Sequence, residues 1–344
     1  MMINQKTAQY RLFPVAPASF FAMTLGLAET GNMLRFAHDT WMIPSIFGEI
    51  FEFLAVLSFL WFGLLFINKW LHHRSAAITE LRDPIQASFI ALVPESLLLL
   101  ALASSHYFSV LSHTLFWIAS ISNVIYAMVR FSNMWTVVRT SEQITPSLFL
   151  TYTASVLVNA LVAGLLGYQT YGWMLFGVGT VAWLILDSLV LQQLMTGGLA
   201  TKSRNFMGIY MAPAAIVLVA YQVLSGDNSS LMVTYSLAGY AFFLTLSLGL
   251  SYKWLREQDF APGYWAYTFG LATLAQGFLL MAREQHAPLF QAVTWVLVSI
   301  SLMLTLTVGA LSVRLFLEKR YYPPAPHPVL AQSRGKAPID GVQR

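Results

Sequence analysis

Hydrophobic residues along this chain gather into ten long stretches, and short polar segments separate each stretch from the next. Each stretch holds about the 20 residues that an α-helix needs to cross the hydrocarbon core of a bilayer. The stretches are residues 16–36, 45–68, 85–104, 107–129, 147–168, 171–194, 206–224, 231–252, 264–282 and 287–313. This pattern predicts an all-α integral membrane protein with ten transmembrane helices.

Several odd-numbered stretches begin with a proline that an aromatic residue follows within a few positions. Proline suits the first turn of a helix because its missing N–H would be unpaired there in any case. These starts recur about every 60 residues, which indicates five helical hairpins in tandem. The pairs are Pro17 and Phe20, Pro84 and Phe89, Pro146 and Phe149, and Pro262 and Tyr264.

Proline inside a predicted span occurs in two odd-numbered stretches, at Pro94 and Pro213, and Gly26 lies inside the first. An interior proline leaves a backbone carbonyl unpaired, and such a defect survives in a bilayer where it faces protein or a water-filled cavity. We therefore expect the odd-numbered helices inside the molecule and the even-numbered helices outside, against lipid. The alternative is that these residues simply allow close helix packing.

Basic residues lie almost entirely on one side of the predicted membrane. Seventeen of the 19 Lys and Arg residues fall in the N-terminal arm, in every second connection or in the tail, and Arg35 and Arg283 are the exceptions. The positive-inside rule therefore predicts that both termini are cytoplasmic. We expect a cytoplasmic arm at residues 1–14, one transmembrane domain at 15–318, and a proline-rich, disordered cytoplasmic tail at 319–344.

Composition excludes several classes of function. Hydrophobic residues make up 57% of the chain and charged residues 10%, which is far outside the range of soluble globular proteins. The net charge of +4 needs no nucleic-acid partner, because the cytoplasmic loops account for it. The chain has no cysteine, no phosphate-binding or dinucleotide motif, and no pair of histidines at matching depth. We therefore expect neither an enzyme nor a bound metal or cofactor.

Local sequence strings, taken in order, resemble the tellurite-resistance/dicarboxylate transporter family, which is related to the plant slow anion channels. The strings include PASFFAMTLGLAETG, LRDPIQASFIALVPESLLLLA and YWAYTFGLATLAQG, and the resemblance extends from about residue 15 to 318. It implies five hairpins around a quasi-fivefold axis, with the odd-numbered helices lining a central pore. It also implies a homotrimer in the bacterial inner membrane, with one pore per subunit and small inorganic anions and membrane lipid as partners.

The resemblance further implies a pore gate at Phe269, since family members carry a blocking phenylalanine in the ninth helix. An aromatic ring across a narrow apolar pore blocks ions by steric hindrance and by dewetting. From the sequence alone, Phe269 is one of 24 phenylalanines, and ordinary packing is the simpler interpretation. Thr151 stands where a proline is common in the family, which predicts a straighter fifth helix. The pore-lining candidates are Gly26, Pro94, Pro213, Gly270 and Thr273.

Carboxylates inside the predicted spans are candidates for function, because ionisable groups there are costly. Glu29 and Glu95 are candidates for proton-linked transport, and an ionised Glu95 facing the pore would oppose anion flow. Glu29 and Glu52 lie at a depth similar to that of Arg35, so a structural ion pair there is the alternative. Asp187 falls on an even-numbered helix, where a structural contact is the favoured interpretation.

These observations and the resemblance together predict a passive channel or uniporter for small monovalent anions such as nitrate and chloride, and the resemblance also implies an association with tellurite resistance. A wall without Lys or Arg suits conduction, because strong fixed cations would hold anions too tightly. The alternative is a proton-coupled carrier that exports tellurite, sulfite or a C4-dicarboxylate. Hydroxyl and amide groups that could attract anions are Thr24, Ser88, Thr153, Asn159 and Thr273.

Overall fold

The structure, a computed structural model, describes residues 14–284 and 287–322, and every regular element among them is helical. The predicted arm, apart from Pro14, and the predicted tail after Tyr322 lie outside the described residues. The α-helices are α1 (Phe21–Trp41), α2 (Ile46–His72), α3 (Arg74–Arg82), α4 (Leu92–Ser105), α5 (Ser109–Thr136), α6 (Ser155–Leu165), α7 (Gln169–Thr196), α8 (Met207–Ser225), α9 (Leu231–Leu250), α10 (Tyr252–Leu255), α11 (Trp265–Glu284) and α12 (Pro288–Leu317).

Nine helical segments within the described residues are long and apolar enough to cross a membrane. They correspond to the second to tenth predicted stretches, so the expectation of an all-helical membrane protein is confirmed at this level. The first stretch forms α1, whose 21 residues give a length of about 31 Å. Glu29, Asn32 and Arg35 make this helix more polar than the other nine, and most of it is buried.

Five helices begin with a tighter helical turn. Short 3₁₀ segments precede α1, α4, α6, α8 and α11, and they lie at Ala18–Phe20, Gln86–Ala91, Pro146–Leu148, Thr201–Phe206 and Pro262–Tyr264. Pro146 and Pro262 occupy the first turn of their segments, as the fixed φ of proline favours. The prolines that recur at the start of odd-numbered stretches therefore mark a repeated local structure, a 3₁₀ turn that leads into a buried helix.

Burial separates these five helices from the rest. In the most apolar 18-residue part of Gln86–Ser105, Pro146–Leu165, Thr201–Asn228 and Pro262–Glu284, 67% to 94% of the residues are buried. The corresponding share is 17% to 33% in α2, α5, α7, α9 and α12. The second group exposes large apolar side chains, as helices in contact with lipid do.

Contacts among the buried helices form a closed ring. Helix α1 contacts α4 and α11, α11 contacts α8, α8 contacts α6, and α6 contacts α4. Each buried helix also packs against the long helix that follows it: α2, α5, α7, α9 and α12, respectively. The five buried helices therefore surround a common interior.

The prediction of a straighter fifth helix is wrong. A five-residue π-helical turn, Leu150–Ala154, lies between the 3₁₀ segment and α6. Thr151 donates a hydrogen bond from its hydroxyl to the Leu148 carbonyl at 3.1 Å, and Ser155 donates to the Thr151 carbonyl at 3.1 Å. These side-chain hydrogen bonds supplement the backbone hydrogen bonds where the 3₁₀ pattern gives way to the π-helical and then the α-helical pattern. The irregular turn therefore does not require a proline.

The first residues of the predicted tail pack against the helical domain. Tyr321 is 2% exposed, and its ring stacks on Phe316 with the centroids 3.8 Å apart. It also contacts Phe20, at the start of α1, with the ring centroids 4.9 Å apart. The segment after α12 therefore covers the 3₁₀ turn that leads into α1.

Candidate functional site

A cavity of about 40 Å³ lies at the centre of the ring of buried helices. All five helices, with the turns that precede them, contribute to its wall, and the lining positions recur every three or four residues. This spacing places them on one face of each helix. Representatives, one from each segment, are Leu25, Leu92, Leu150, Ile209 and Phe269.

The wall of this cavity is mostly apolar. Among its lining residues, Ser19 and Glu95 carry the polar side chains, and no Lys or Arg belongs to the set. An ion that entered such a space would lose most of its water and gain few compensating contacts, so the cavity resists the entry of ions.

Phe269 lies on the wall of the cavity and is 6% exposed. Two glycines fix the backbone around it. A Cβ on Gly270 would lie 3.0 Å from Met211 Cγ, and a Cβ on Gly208 would lie 2.6 Å from the Tyr267 backbone nitrogen. Helices α8 and α11 thus approach closely on both sides of Phe269, which holds its backbone while the ring borders empty space.

Two buried carboxylates lie near each other beside this cavity. Glu95 is 1% exposed, belongs to the cavity wall, and has no hydrogen-bond partner for Oε2 among the described residues. Glu29 is equally buried and accepts a weak hydrogen bond from Asn32 Nδ2 at 3.4 Å. The two carboxylates are close enough for their charges to interact. Both lie in helices of the predicted membrane domain without a cation partner among the described residues, which makes them candidates for a functional role.

The other predicted pore residues lie around the cavity and not on its wall. Gly26 packs against α11, where a Cβ would fall 2.0 Å from Thr268 Oγ1. Pro213 is buried inside α8, and Pro94 is half-buried in the first turn of α4. Thr273 donates a hydrogen bond to the Phe269 carbonyl at 2.9 Å and lies beside the Glu29 carboxylate. The structure therefore brings Phe269, Glu95, Thr273 and Glu29 together.

Two of the five candidate hydroxyl and amide groups, those of Thr24 and Asn159, pair with neighbouring helices. Thr24 and Ser58 share a hydrogen bond of 2.8 Å between α1 and α2, and Asn159 donates to Asn123 Oδ1 at 3.2 Å between α6 and α5. These groups hold inner helices to outer ones and leave little capacity for an ion. The hydroxyls of Ser88 and Thr153 have no hydrogen-bond partner among the described residues.

Gln276 is a polar residue of the site that was not predicted from the sequence; it is fully buried in α11 with no hydrogen-bond partner for either amide atom among the described residues. It follows Phe269 by seven positions and Thr273 by three, so the three residues share one face of the helix. That spacing is visible in the sequence and is the signal that could have identified it.

An ion-pair cluster closes the opposite end of α1. Arg35 binds both carboxylate oxygens of Glu52, with nitrogen–oxygen distances of 2.5 and 2.6 Å, and donates to the Tyr107 hydroxyl at 2.7 Å. Burial, followed by the nearby charge of Arg35, lowers the pKa of His106 in the same region. Arg35 therefore pairs with Glu52, as one of the predicted alternatives requires, and Glu29 lies apart from this cluster.

Comparison with known proteins relates the chain to a family of anion channels and to a bacterial tellurite resistance protein. Residues 16–313 match the family described as "SLAC1: Voltage-dependent anion channel". The chain is 28% identical to the "Tellurite resistance protein TehA homolog" of Haemophilus influenzae over 264 residues, which cover 76% of this chain and 80% of that protein.

The chain is also similar to a plant protein. It is 22% identical to the "S-type anion channel SLAH2" of Arabidopsis thaliana over 282 residues. This similarity covers 78% of the present chain and 53% of the plant protein, so the plant protein is substantially longer than the region that matches.

Proposed function

This chain belongs to the SLAC1 family of voltage-dependent anion channels, and on that premise we propose that it is a passive channel or uniporter for small monovalent anions. The observation that carries the proposal is the central cavity, to which all five buried helices or the turns leading into them contribute and on whose wall Phe269 lies. A pathway between helices of one subunit can conduct without the large rearrangement that a carrier requires.

The proposed architecture is ten transmembrane helices arranged as five hairpins around a quasi-fivefold pore axis. The difference in burial between the two sets of helices and the closed ring of contacts support it. We place the protein in the bacterial inner membrane as a homotrimer with both termini cytoplasmic. The distribution of Lys and Arg along the sequence supports that orientation.

Phe269 is the proposed gate, and its environment sets the size of the barrier. Moving its ring off a favoured rotamer costs about 0.5–1.5 kcal/mol. Withdrawing the ring from its packed position costs about 1.5–3 kcal/mol more. A total of about 2–4.5 kcal/mol keeps the open arrangement at roughly one molecule in 30 to one in 2,000.

Selectivity in the proposed pore follows the cost of dehydration. Because the wall is apolar and lacks fixed cations, anions that shed water easily pass best, so nitrate conducts better than chloride. The printed name of the Haemophilus relative supports an association with tellurite resistance. That association is compatible with passive movement of an oxyanion through the same pathway.

The test is to record nitrate and chloride currents from wild type and Phe269→Ala in planar bilayers at equal protein content. We expect the variant to conduct about 30- to 2,000-fold more than wild type, as the barrier above requires. Phe278→Ala is the matched control, since Phe278 lies on the same helix, is 7% exposed and is absent from the cavity wall. Equal currents in wild type and both variants would refute the gate.

A second candidate function is a proton-coupled carrier for tellurite, sulfite or a C4-dicarboxylate. The observation that favours it is the pair of buried carboxylates, Glu29 and Glu95, near the proposed gate. A carrier would show saturable flux in liposomes that follows a proton gradient, and Glu95→Gln would uncouple that flux from pH. Ohmic, unsaturated current would exclude this alternative.

A further inference from the structure

An apolar groove with a volume of about 610 Å³ runs along the outer surface between α5 and α7. On α5 it extends from Val124 to Trp135, a distance of about 17 Å at 1.5 Å per residue. That length matches one leaflet of a hydrocarbon core about 30 Å thick. Several of its lining side chains are exposed, and Val181 is 59% exposed.

A second cavity of about 290 Å³ adjoins the groove at Trp135, and Arg139 lies on its wall. Arg130 lies nearby on α5, is 7% exposed, and has no hydrogen-bond partner for Nε among the described residues. Arg139 donates from Nη1 to the Met134 sulfur at 2.8 Å, and its Nε likewise lacks a partner.

The two arginines form an uncompensated positive site. Their charges are close enough to repel each other, and neither forms an ion pair with a described carboxylate. Bringing two cations together at the edge of the membrane is unfavourable unless an anion lies between them. Guanidinium groups suit phosphate because their planar arrangement of donors binds two oxygens at once.

We propose that this surface is a binding site for an anionic phospholipid. One acyl chain occupies the groove between α5 and α7, and the phosphate lies in the adjoining cavity against Arg139, where the nearby charge of Arg130 also attracts it. The length of the groove, its apolar wall and the unpaired cations at one end are the three features that a phospholipid complements.

The proposed lipid site adjoins the wall of the central cavity through one structural element. Tyr152 lines the groove, whereas Leu150 and Ala154 line the central cavity, and all three belong to the π-helical turn Leu150–Ala154. Irregular turns of this kind accommodate small shifts more readily than regular helix. A bound lipid therefore supports the pathway wall from outside.

The experiment measures lipid retention by native mass spectrometry after incubating delipidated protein with equal amounts of phosphatidylglycerol and phosphatidylcholine of matched chains. Two basic residues at an anionic headgroup give an expected preference of about 30-fold for phosphatidylglycerol. We expect Arg130→Gln/Arg139→Gln to reduce that preference to about twofold or less. Lys202→Gln is the control, because Lys202 is exposed and lies outside both cavities.

A groove variant keeps the test decisive if the double arginine variant does not fold. Val181→Trp fills the exposed groove, retains both arginines, and is expected to abolish tight retention of either lipid. The chain has no cysteine, so Val181→Cys provides a single reporter of what covers the groove. Equal retention of the two lipids by wild type, an unchanged preference in the arginine variant, or efficient Val181→Cys disulfide formation between two copies would each overturn the proposal.

Discussion

Replacing Glu95 by glutamine tests whether the charge on the cavity wall controls anion passage. Glu95 lies on the wall of the narrow central cavity, so an anion that passes through the cavity comes within about 5 Å of its carboxylate. At an effective dielectric constant of about 20, two like charges at that distance repel by about 3 kcal/mol. Removing the charge should therefore raise anion conductance by about a hundredfold.

The assay uses Phe269→Ala as the background, because an occluded pore would hide any electrostatic effect. We expect Phe269→Ala/Glu95→Gln to carry about a hundredfold more nitrate current than Phe269→Ala where the carboxylate is ionised. Lowering the pH should raise the current of Phe269→Ala, because protonation of Glu95 removes the same negative charge. The double variant should show no such rise, so the two currents converge at low pH.

Asp187→Asn in the Phe269→Ala background is the control, because it removes a carboxylate from a membrane helix at a position away from the cavity. Asp187 lies on the outer helix α7, where its Oδ2 accepts a hydrogen bond from the Tyr240 hydroxyl at 3.2 Å. This variant should leave conductance unchanged. If Glu95→Gln behaves in the same way at every pH, the argument that its charge faces the anion pathway is wrong.

Three further predictions concern stability, each measured by thermal unfolding of detergent-solubilised protein. Arg35→Gln should cost about 3 kcal/mol, because it leaves the buried carboxylate of Glu52 without its partner; an unchanged melting temperature would contradict this. Burial lowers the pKa of His106, so as the pH drops through about 6.5 the unfolded chain takes up a proton before the folded protein does. The free energy of unfolding therefore decreases as the pH drops, and His106→Gln should remove that part of the pH dependence. Ending the chain after Arg320 should lower stability by about 1.5–3 kcal/mol through loss of buried Tyr321, whereas ending it after Tyr322 should not.

The positions of the long helices follow from hydropathy, because twenty apolar residues have few stable alternatives in a membrane. Repeated proline starts also predict the turns at Pro146 and Pro262. The π-helical turn could not be predicted from Thr151, since a missing proline does not show how neighbouring hydroxyls bond to the backbone. Local irregularity depends on tertiary contacts that no short segment of sequence contains.

The candidate site is only partly predictable from the sequence. Periodicity indicates which residues share a face of a helix, but it does not give the rotation of that face relative to neighbouring helices. Phe269 and Glu95 are on the cavity wall, whereas Gly26 and Gly270 lie where helices approach each other. Glycine is equally suited to both locations, so its presence in a span cannot distinguish a pore from a packing contact.

The same packing suggests a division of roles within the five buried helices. Gly26 and Gly208 allow the backbones of α1, α8 and α11 to approach, and hydroxyls such as Thr24 bond to the surrounding helices. The faces directed at the cavity carry larger apolar side chains, together with Glu95. Helix separation is therefore set by the contacts between the helices. In the proposed pore, side chains such as Phe269 set the width of the passage and move without separating the helices. Under the proposed mechanism, a modest rearrangement of side chains can then control anion flow while the helical framework stays in place.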